Sequence, residues 1–311
     1  MHLPEFSFHR RVRRTLATLL GVSMMLAAGA VPVAAYDPAE LFELEPTPTP
    51  RPTTPVAEPT RPRPVPSRSP EPTPSPTGEA RASERLGYDV SWPQCNDELP
   101  ESVGFAVVGV NRGRTFSENG CLVAQLAWAG RGADVYLNTG NPGPDHSRFW
   151  PVGQSEPVAC GAQDDDTREC AYLYGWNAAA DGYARALDAY VALGWTDAGA
   201  DRVNGGGTWW LDVETANSWR GDRTLNVATL HGAVDFLESM GVAEVGFYST
   251  PRLWWLVTRG TDDFASYPAW HAGALSRAGA ADRCADDAFT GGELRMVQWV
   301  ENGLDRNLRC S

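Results

Sequence analysis

The sequence predicts an α/β fold: a single TIM-like (β/α) barrel over residues 86–311, irregular in places, with an inserted disulfide-bearing loop. From Leu86 onward, short apolar runs alternate with longer, often alanine-rich segments, the pattern of strands each followed by a helix. The length of this region approaches the roughly 250 residues typical of a closed barrel. Polar and acidic residues stand where the apolar runs end, on the face where barrel enzymes collect their active-site groups. An open doubly wound sheet is the alternative. Against it, no Gly-x-Gly-x-x-Gly follows the first strand and no Walker-type lysine occurs.

Gly87-Tyr88-Asp89-Val90-Ser91-Trp92 reads as the first strand, stopped by Pro93, and Phe105 to Asn111 as a buried strand of parallel type. Cys121 to Gly130 has Leu122, Gln125, Leu126 and Ala129 at helical spacing. Asp134 to Thr139 is a third strand that opens into Gly140-Asn141-Pro142-Gly143-Pro144. An irregular insertion with Trp150, Cys160 and Cys170 follows, and Tyr172 to Leu193 reads as a helix. Next comes Gly207-Thr208-Trp209-Trp210-Leu211-Asp212-Val213-Glu214-Thr215, a buried strand released by glycines and ending in two carboxylates. Asn226 to Met240 is an amphipathic helix terminated by Gly241, Val245 to Thr250 a strand, and Pro251 the opening of a short helix. Tyr267 to Ala272 and Leu294 to Val300 are the last strand candidates, and Gly303 to Cys310 is a tail.

Residues two apart on a strand share a face and lie roughly 6.5 to 7 Å apart by backbone rise. Asp212 and Glu214 therefore project into one space. Paired carboxylates at that separation suit acid/base work on a glycosidic bond, one holding a proton while the other stays ionised. An acidic strand exit that caps a helix or pairs with Arg220 or Arg223 is the structural alternative. Asp89, Asn111, Asn138 with Thr139, Tyr248 and Trp270 fall at the same ends of their strands.

Ahead of the barrel, His9-Arg10-Arg11-Val12-Arg13-Arg14, an apolar stretch from Leu16 to Val33 and the site Val33-Ala34-Ala35 have the order of a secretory signal peptide over residues 1–35. An uncleaved anchor is the other reading. Residues 36–85 are rich in repeats such as Pro46-Thr47-Pro48-Thr49-Pro50, which bury too little apolar surface to fold and form a disordered, semi-rigid linker. All six cysteines lie beyond it, so disulfides in an oxidising compartment are expected. The sequence does not fix their pairing, but Cys95 with Cys121, Cys160 with Cys170, and Cys284 with Cys310 would each join neighbouring loops. No Cys-x-x-Cys occurs and the histidines are scattered, so no metal and no cofactor is expected. The net charge of -13 argues against nucleic acid and anionic membrane surfaces as partners and leaves a neutral glycan open. The expectation is a monomer, secreted or wall-associated, with no membrane contact once the signal is cut.

The stretch Gly87-Tyr88-Asp89-Val90-Ser91-Trp92-Pro93-Gln94 resembles the opening Asp-Val-Ser segment of glycoside hydrolase family 25, the Chalaropsis or cellosyl type of lysozyme. Leu211-Asp212-Val213-Glu214 is similar to that family's Asp-x-Glu strand end, and Trp270-His271-Ala272 to its Trp-x-Ala segment. Gln298-Trp299 with Asp305-Arg306-Asn307 resembles its closing Trp-Gln and Asp-x-Asn elements. Two segments depart from the pattern. Val110-Asn111-Arg112-Gly113-Arg114 stands where the family carries a Lys-Ala-Thr-Glu-Gly-like run, and Tyr136-Leu137-Asn138-Thr139 where it has Tyr-His-Phe.

The resemblance implies a divergent muramidase that cleaves the β-1,4 bond from N-acetylmuramic acid to N-acetylglucosamine in peptidoglycan. In it Glu214 is the general acid, and Asp212 stays ionised to steady developing positive charge or orient the acetamido group. Asp89 is a further catalytic acid, and Asp305 holds substrate or tunes the pair. Trp92, Trp209, Trp270 and Trp299 are candidates to stack on sugar faces. Tyr248 and Asn138 are further substrate-binding candidates, while His271 reads as structural. A hypothesis of a different class is a non-catalytic wall-glycan-binding protein on the same barrel; the acid pair favours the enzyme and the changed loops favour the binder. The serine- and metal-hydrolase motifs Gly-x-Ser-x-Gly and His-Glu-x-x-His are absent.

Overall fold

The computed structural model describes residues 85–162, 165–200, 202–203 and 206–310. The expected signal peptide, and the expected linker up to residue 84, lie outside the described residues. Strands β1 (Leu86–Val90), β2 (Phe105–Gly109), β3 (Asp134–Asn138), β4 (Trp209–Asp212), β5 (Val245–Ser249), β6 (Ala269–Ala274), β7 (Leu294–Glu301) and β8 (Leu304–Arg309) close into a barrel in chain order. Neighbours from β1 to β7 are parallel. Helices α1 (Leu122–Ala129), α2 (Arg168–Ala192), α3 (Arg223–Ser239), α4 (Pro251–Thr258) and α5 (Arg277–Arg283) follow β2 to β6 in turn.

At two places the barrel lacks its helix. Between β1 and β2 the chain makes only a 3-10 turn at Trp92–Gln94. Between β7 and β8 it makes a hairpin, so β8 runs antiparallel to both β7 and β1. The residues treated from sequence as a tail are therefore the strand that shuts the barrel. The reason is local: Asn302 at φ 55° and Gly303 at φ 80° adopt the left-handed conformations that a two-residue hairpin turn requires.

Helices α2 to α5 start where short polar side chains satisfy open backbone amides. Thr167 accepts from Cys170 N at α2, Asp222 from Thr224 N at α3, Thr250 from Leu253 N at α4 and Ser276 from Gly279 N at α5. Helices α2 and α3 meet backbone to backbone. A Cβ at Gly175 would lie 1.8 Å from Thr229 O, and one at Gly232 1.9 Å from Tyr172 O.

Alternation along the strands sorts the core into two layers. Along β4 and just past its end, the odd residues Trp209, Leu211 and Val213 face the helices, packing with Tyr183, Leu230 and Val234. Trp210 faces inward and fills the barrel with Phe105, Val107, Trp270 and Met296. Burying a single Phe or Met of that kind contributes roughly 1.5–3 kcal/mol. The insertion after β3 folds over its own cluster of Trp150, Tyr174, Leu173 and the Cys160–Cys170 bridge. The other bridges are Cys95–Cys121, from the turn after β1 to the start of α1, and Cys284–Cys310, from the end of α5 to the end of β8. Among the described residues no helix is long and apolar enough to cross a membrane.

Candidate active site

Parity and register together build the site. Asn138 of β3 lies beside Asp212 of β4, Asp212 beside Tyr248 of β5, and Tyr248 beside Trp270 of β6. On the other side of the barrel Asp89 of β1 is paired with Asp305 of β8, and Gln298 of β7 with Asn307 of β8. These side chains other than Asn307, together with Glu214 two residues beyond the end of β4, line a cavity of about 240 Å³ at the C-terminal ends of the parallel strands. The ladder does not stop at Asp212: Val213 N donates to Tyr248 O at 2.9 Å, which holds the segment extended as far as Glu214. Trp219 Nε1 then donates to Glu214 O at 2.8 Å and anchors the turn.

Asp89 is the best-connected acid. Gln298 Nε2 donates to both of its oxygens at 3.0 and 3.1 Å, and Asn307 Nδ2 donates to Oδ1 at 2.6 Å. Those donors are themselves held, Gln298 by Tyr248 OH at 2.9 Å and Asn307 by Trp270 Nε1 at 2.9 Å. Even so, burial, reinforced by the Asp305 charge, outweighs the hydrogen bonds and pushes the Asp89 carboxyl up to about 7.

Asp212 is buried deeper than its neighbour Glu214, and its surroundings are less complete. Asn138 Nδ2 donates to Oδ2, while Oδ1 has no partner, and neither has Asn138 Oδ1. Asn138 is itself fixed by Asn111, which accepts from its backbone N at 3.0 Å and donates to its carbonyl at 3.1 Å. Burial, and then the adjacent Glu214 charge, raise Asp212 well above the ordinary carboxylate range. Glu214, half-buried at the mouth, is raised by burial and by Asp305, and Asp305 by burial. Among the described residues no arginine lines the cavity. Four acids with no compensating cation therefore titrate as a unit and hold protons above the usual range. Asp212, the acid expected from sequence to stay ionised, is raised with the others, chiefly by its burial.

The tryptophans divide. Trp270 forms the floor, and Trp92 sits at the rim, 39% exposed. Trp299 and Trp209 do not reach the cavity. Both face outward by strand parity, Trp299 into the layer with Ala280 and Leu308, Trp209 against Tyr183 at 5.3 Å. On β7 the inward residue is Gln298, so the residue before the tryptophan enters the site. His271 also faces outward, beside Arg283. Sequence reasoning gives Gln298, Asn307 and Tyr136 no role of their own in the site, whereas Asn111, placed by sequence at a strand end, acts there by fixing Asn138. Tyr136 crosses the barrel because Gly109 leaves room: a Cβ there would lie 2.5 Å from the ring.

No protein-family profile matches the chain. Among curated proteins it is 35% identical over 63 residues to a probable GH family 25 lysozyme of Dictyostelium discoideum. That stretch is 20% of this chain and 29% of the relative's length, so the match spans under a third of the relative. The resemblance read from the motifs is thus shared by a curated member of that family. Among solved structures, the chain is similar to a muramidase from Trichobolus zukalii, with 16% identity over 72% of this chain and 92% of that one and a TM-score of 0.40. A bacterial lysozyme from Streptomyces coelicolor gives 15% identity over 72% and 91% at a TM-score of 0.43. The spore cortex lytic enzyme SleM of Clostridium perfringens gives 12% over 73% and 68% at 0.45.

Proposed function

We propose that this chain, which resembles glycoside hydrolase family 25, is a secreted hydrolase of cell-wall glycan that cuts a β-1,4 bond of peptidoglycan by carboxylate acid/base chemistry. The observation that carries the reading is the convergence of Asp212, Glu214, Asp89 and Asp305, from three separate strands, on one cavity without a cation. Such a cluster costs stability, and acids with raised proton affinity in a cleft mark functional sites.

Glu214, the more exposed of the adjacent pair, gives its proton to the leaving oxygen. Asp212 receives the positive charge that develops at the sugar. It does so as a carboxylate: its proton passes to solvent before the bond breaks, and the positive charge beside it then favours the ionised form. The partnerless oxygens of Asp212 and Asn138 suit donors from the substrate, such as an acetamido N–H. Asp89 and Asp305 tune the pair through their charge, Trp270 and Tyr248 wall the reacting ring, and Trp92 stacks on a sugar at the rim. At about 240 Å³ the cavity lies below the roughly 300–1,000 Å³ of sites that engulf a drug-sized ligand. It takes one ring, and the rest of the strand lies outside.

Export through the signal at 1–35 and a spacer at 36–85 fits the three disulfides, which belong to an oxidising compartment. The chain acts as a monomer without a cofactor. A second reading, a wall-binding protein without activity, is favoured by the changed segments after β2 and β3, where Arg112 and Asn138 stand. The test is release of reducing sugar ends from purified bacterial walls by the protein and by Glu214→Gln. Release by the first, reduced about 10²–10⁴-fold in the second, supports the hydrolase. Binding by both without release supports the second reading.

A further inference from the structure

The loop after β2, where the chain departs from the family it resembles, has a surface of its own. Arg112 leaves the barrel beside the rim residue Trp92, its guanidinium 5.0 Å from the ring centre. Trp92 and Gly113 line the carboxylate cavity, and Trp92, Arg112, Arg114 and Phe116 line an open depression of about 840 Å³ that adjoins it. A second depression of about 490 Å³ continues from Arg114 and Phe116 to Arg148 and Phe149. Phe116 and Phe149 stack at 4.3 Å, and the Arg148 guanidinium lies 4.7 Å from the Phe149 ring. Phe116 sits at φ 53°, a left-handed conformation that a bulky residue seldom adopts.

The charge of this strip is opposite to that of its surroundings. The chain carries a net charge of -13 and the neighbouring cavity is lined by four carboxylates. Yet among the described residues no carboxylate forms an ion pair with Arg112, Arg114 or Arg148. Glu118, the acid lining the strip, faces Arg185 at 3.6 Å instead. Forked guanidinium groups suit carboxylates, and the rings beside them suit an extended chain with apolar groups of its own.

We propose that the strip binds an acidic peptide substituent carried by the glycan strand, seated while the sugar that bears it occupies the cavity. The proposal rests on the glycan-directed reading above. The strip begins at the cavity rim and shares Trp92 and Pro93 with it, so its occupant is continuous with the bound sugar. A separate anionic polymer has no need of that continuity.

The test is binding, measured on the Glu214→Gln protein so that the strands stay whole whether or not the parent cleaves them. Wall glycan bearing its peptide stems is compared with the same glycan after an amidase has removed them, both freed of phosphate polymers by acid extraction. Co-sedimentation is read at low and high salt for Glu214→Gln alone and combined with Arg112→Gln, Arg114→Gln and Arg148→Gln. The expected result is about tenfold tighter binding of stem-bearing strands, a preference that shrinks with salt and vanishes when the three arginines are replaced. The single exposed change Arg114→Glu, added to Glu214→Gln, should lower the same preference. A preference that survives the arginine replacements overturns the proposal, as does one that follows phosphate polymers on unextracted walls. Equal binding of both strands removes this inference alone; binding of neither removes the glycan reading beneath it.

Discussion

At the scale of single residues the site is a problem of too many negative charges in one place. Asp305 is the acid that raises both Asp89 and Glu214 by its charge, so its neutralisation has a direction. In Asp305→Asn the Glu214 carboxyl falls toward its ordinary value. A general acid works only while protonated, so activity is lost at lower pH. We expect the alkaline limb of the kcat/KM profile to move to lower pH in Asp305→Asn, and a limb that stays in place would separate Asp305 from Glu214. Legibility at this scale followed strand parity. Asp212, Glu214 and Asp89 could be read because acids are conspicuous at the end of an apolar run. Gln298 and Asn307 stood in the closing motifs without a role, because neutral amides carry no such contrast, and Trp299 misled because a tryptophan beside the site looks the same in sequence whichever way it points.

At the scale of elements, strands and helices with strong periodicity were legible. Their starts were less so, because a cap such as Thr167 or Asp222 lies several residues ahead of the first apolar position. The antiparallel closure was legible in principle, since Asn302-Gly303 between Leu294–Glu301 and Leu304–Arg309 is a hairpin signal. It was obscured by the expectation that every strand of such a barrel returns through a helix. The α2–α3 contact gives the clearest mutational consequence. Gly175→Ala or Gly232→Ala forces a methyl against a carbonyl of the opposite helix, and neither backbone can turn away without moving its helix. We expect each to destabilise by about 1–3 kcal/mol in denaturant unfolding. An unchanged midpoint would mean that the helices do not meet at these glycines.

At the scale of the whole molecule, the acid cluster couples stability to pH. The folded protein holds a proton on Asp89 up to about pH 7, whereas the unfolded chain releases it near 3.9. The folded state therefore binds more protons across that window. The contribution is fully present below about pH 4 and is lost as pH rises through 7, at about 1.4 kcal/mol per pH unit for one such group. Asp212, Glu214 and Asp305, also raised, act in the same direction. Asp222 and Asp263, which are lowered, act oppositely and only below the ordinary carboxylate range, and His271, lowered by burial, opposes the cluster within the window as one group against four. We expect denaturant unfolding to give higher stability at pH 5 than at pH 7.5. A flat or rising profile would show that the cluster is ionised without cost. The most direct measurement is a carbon-13 titration of the side-chain carboxyls, with Glu214 identified by the signal lost in Glu214→Gln. Glu214 should titrate above the ordinary carboxylate range and a further carboxyl, Asp89, near pH 7; a protein in which every carboxyl titrates within the ordinary range would contradict a barrel that keeps a proton ready beside Asp212.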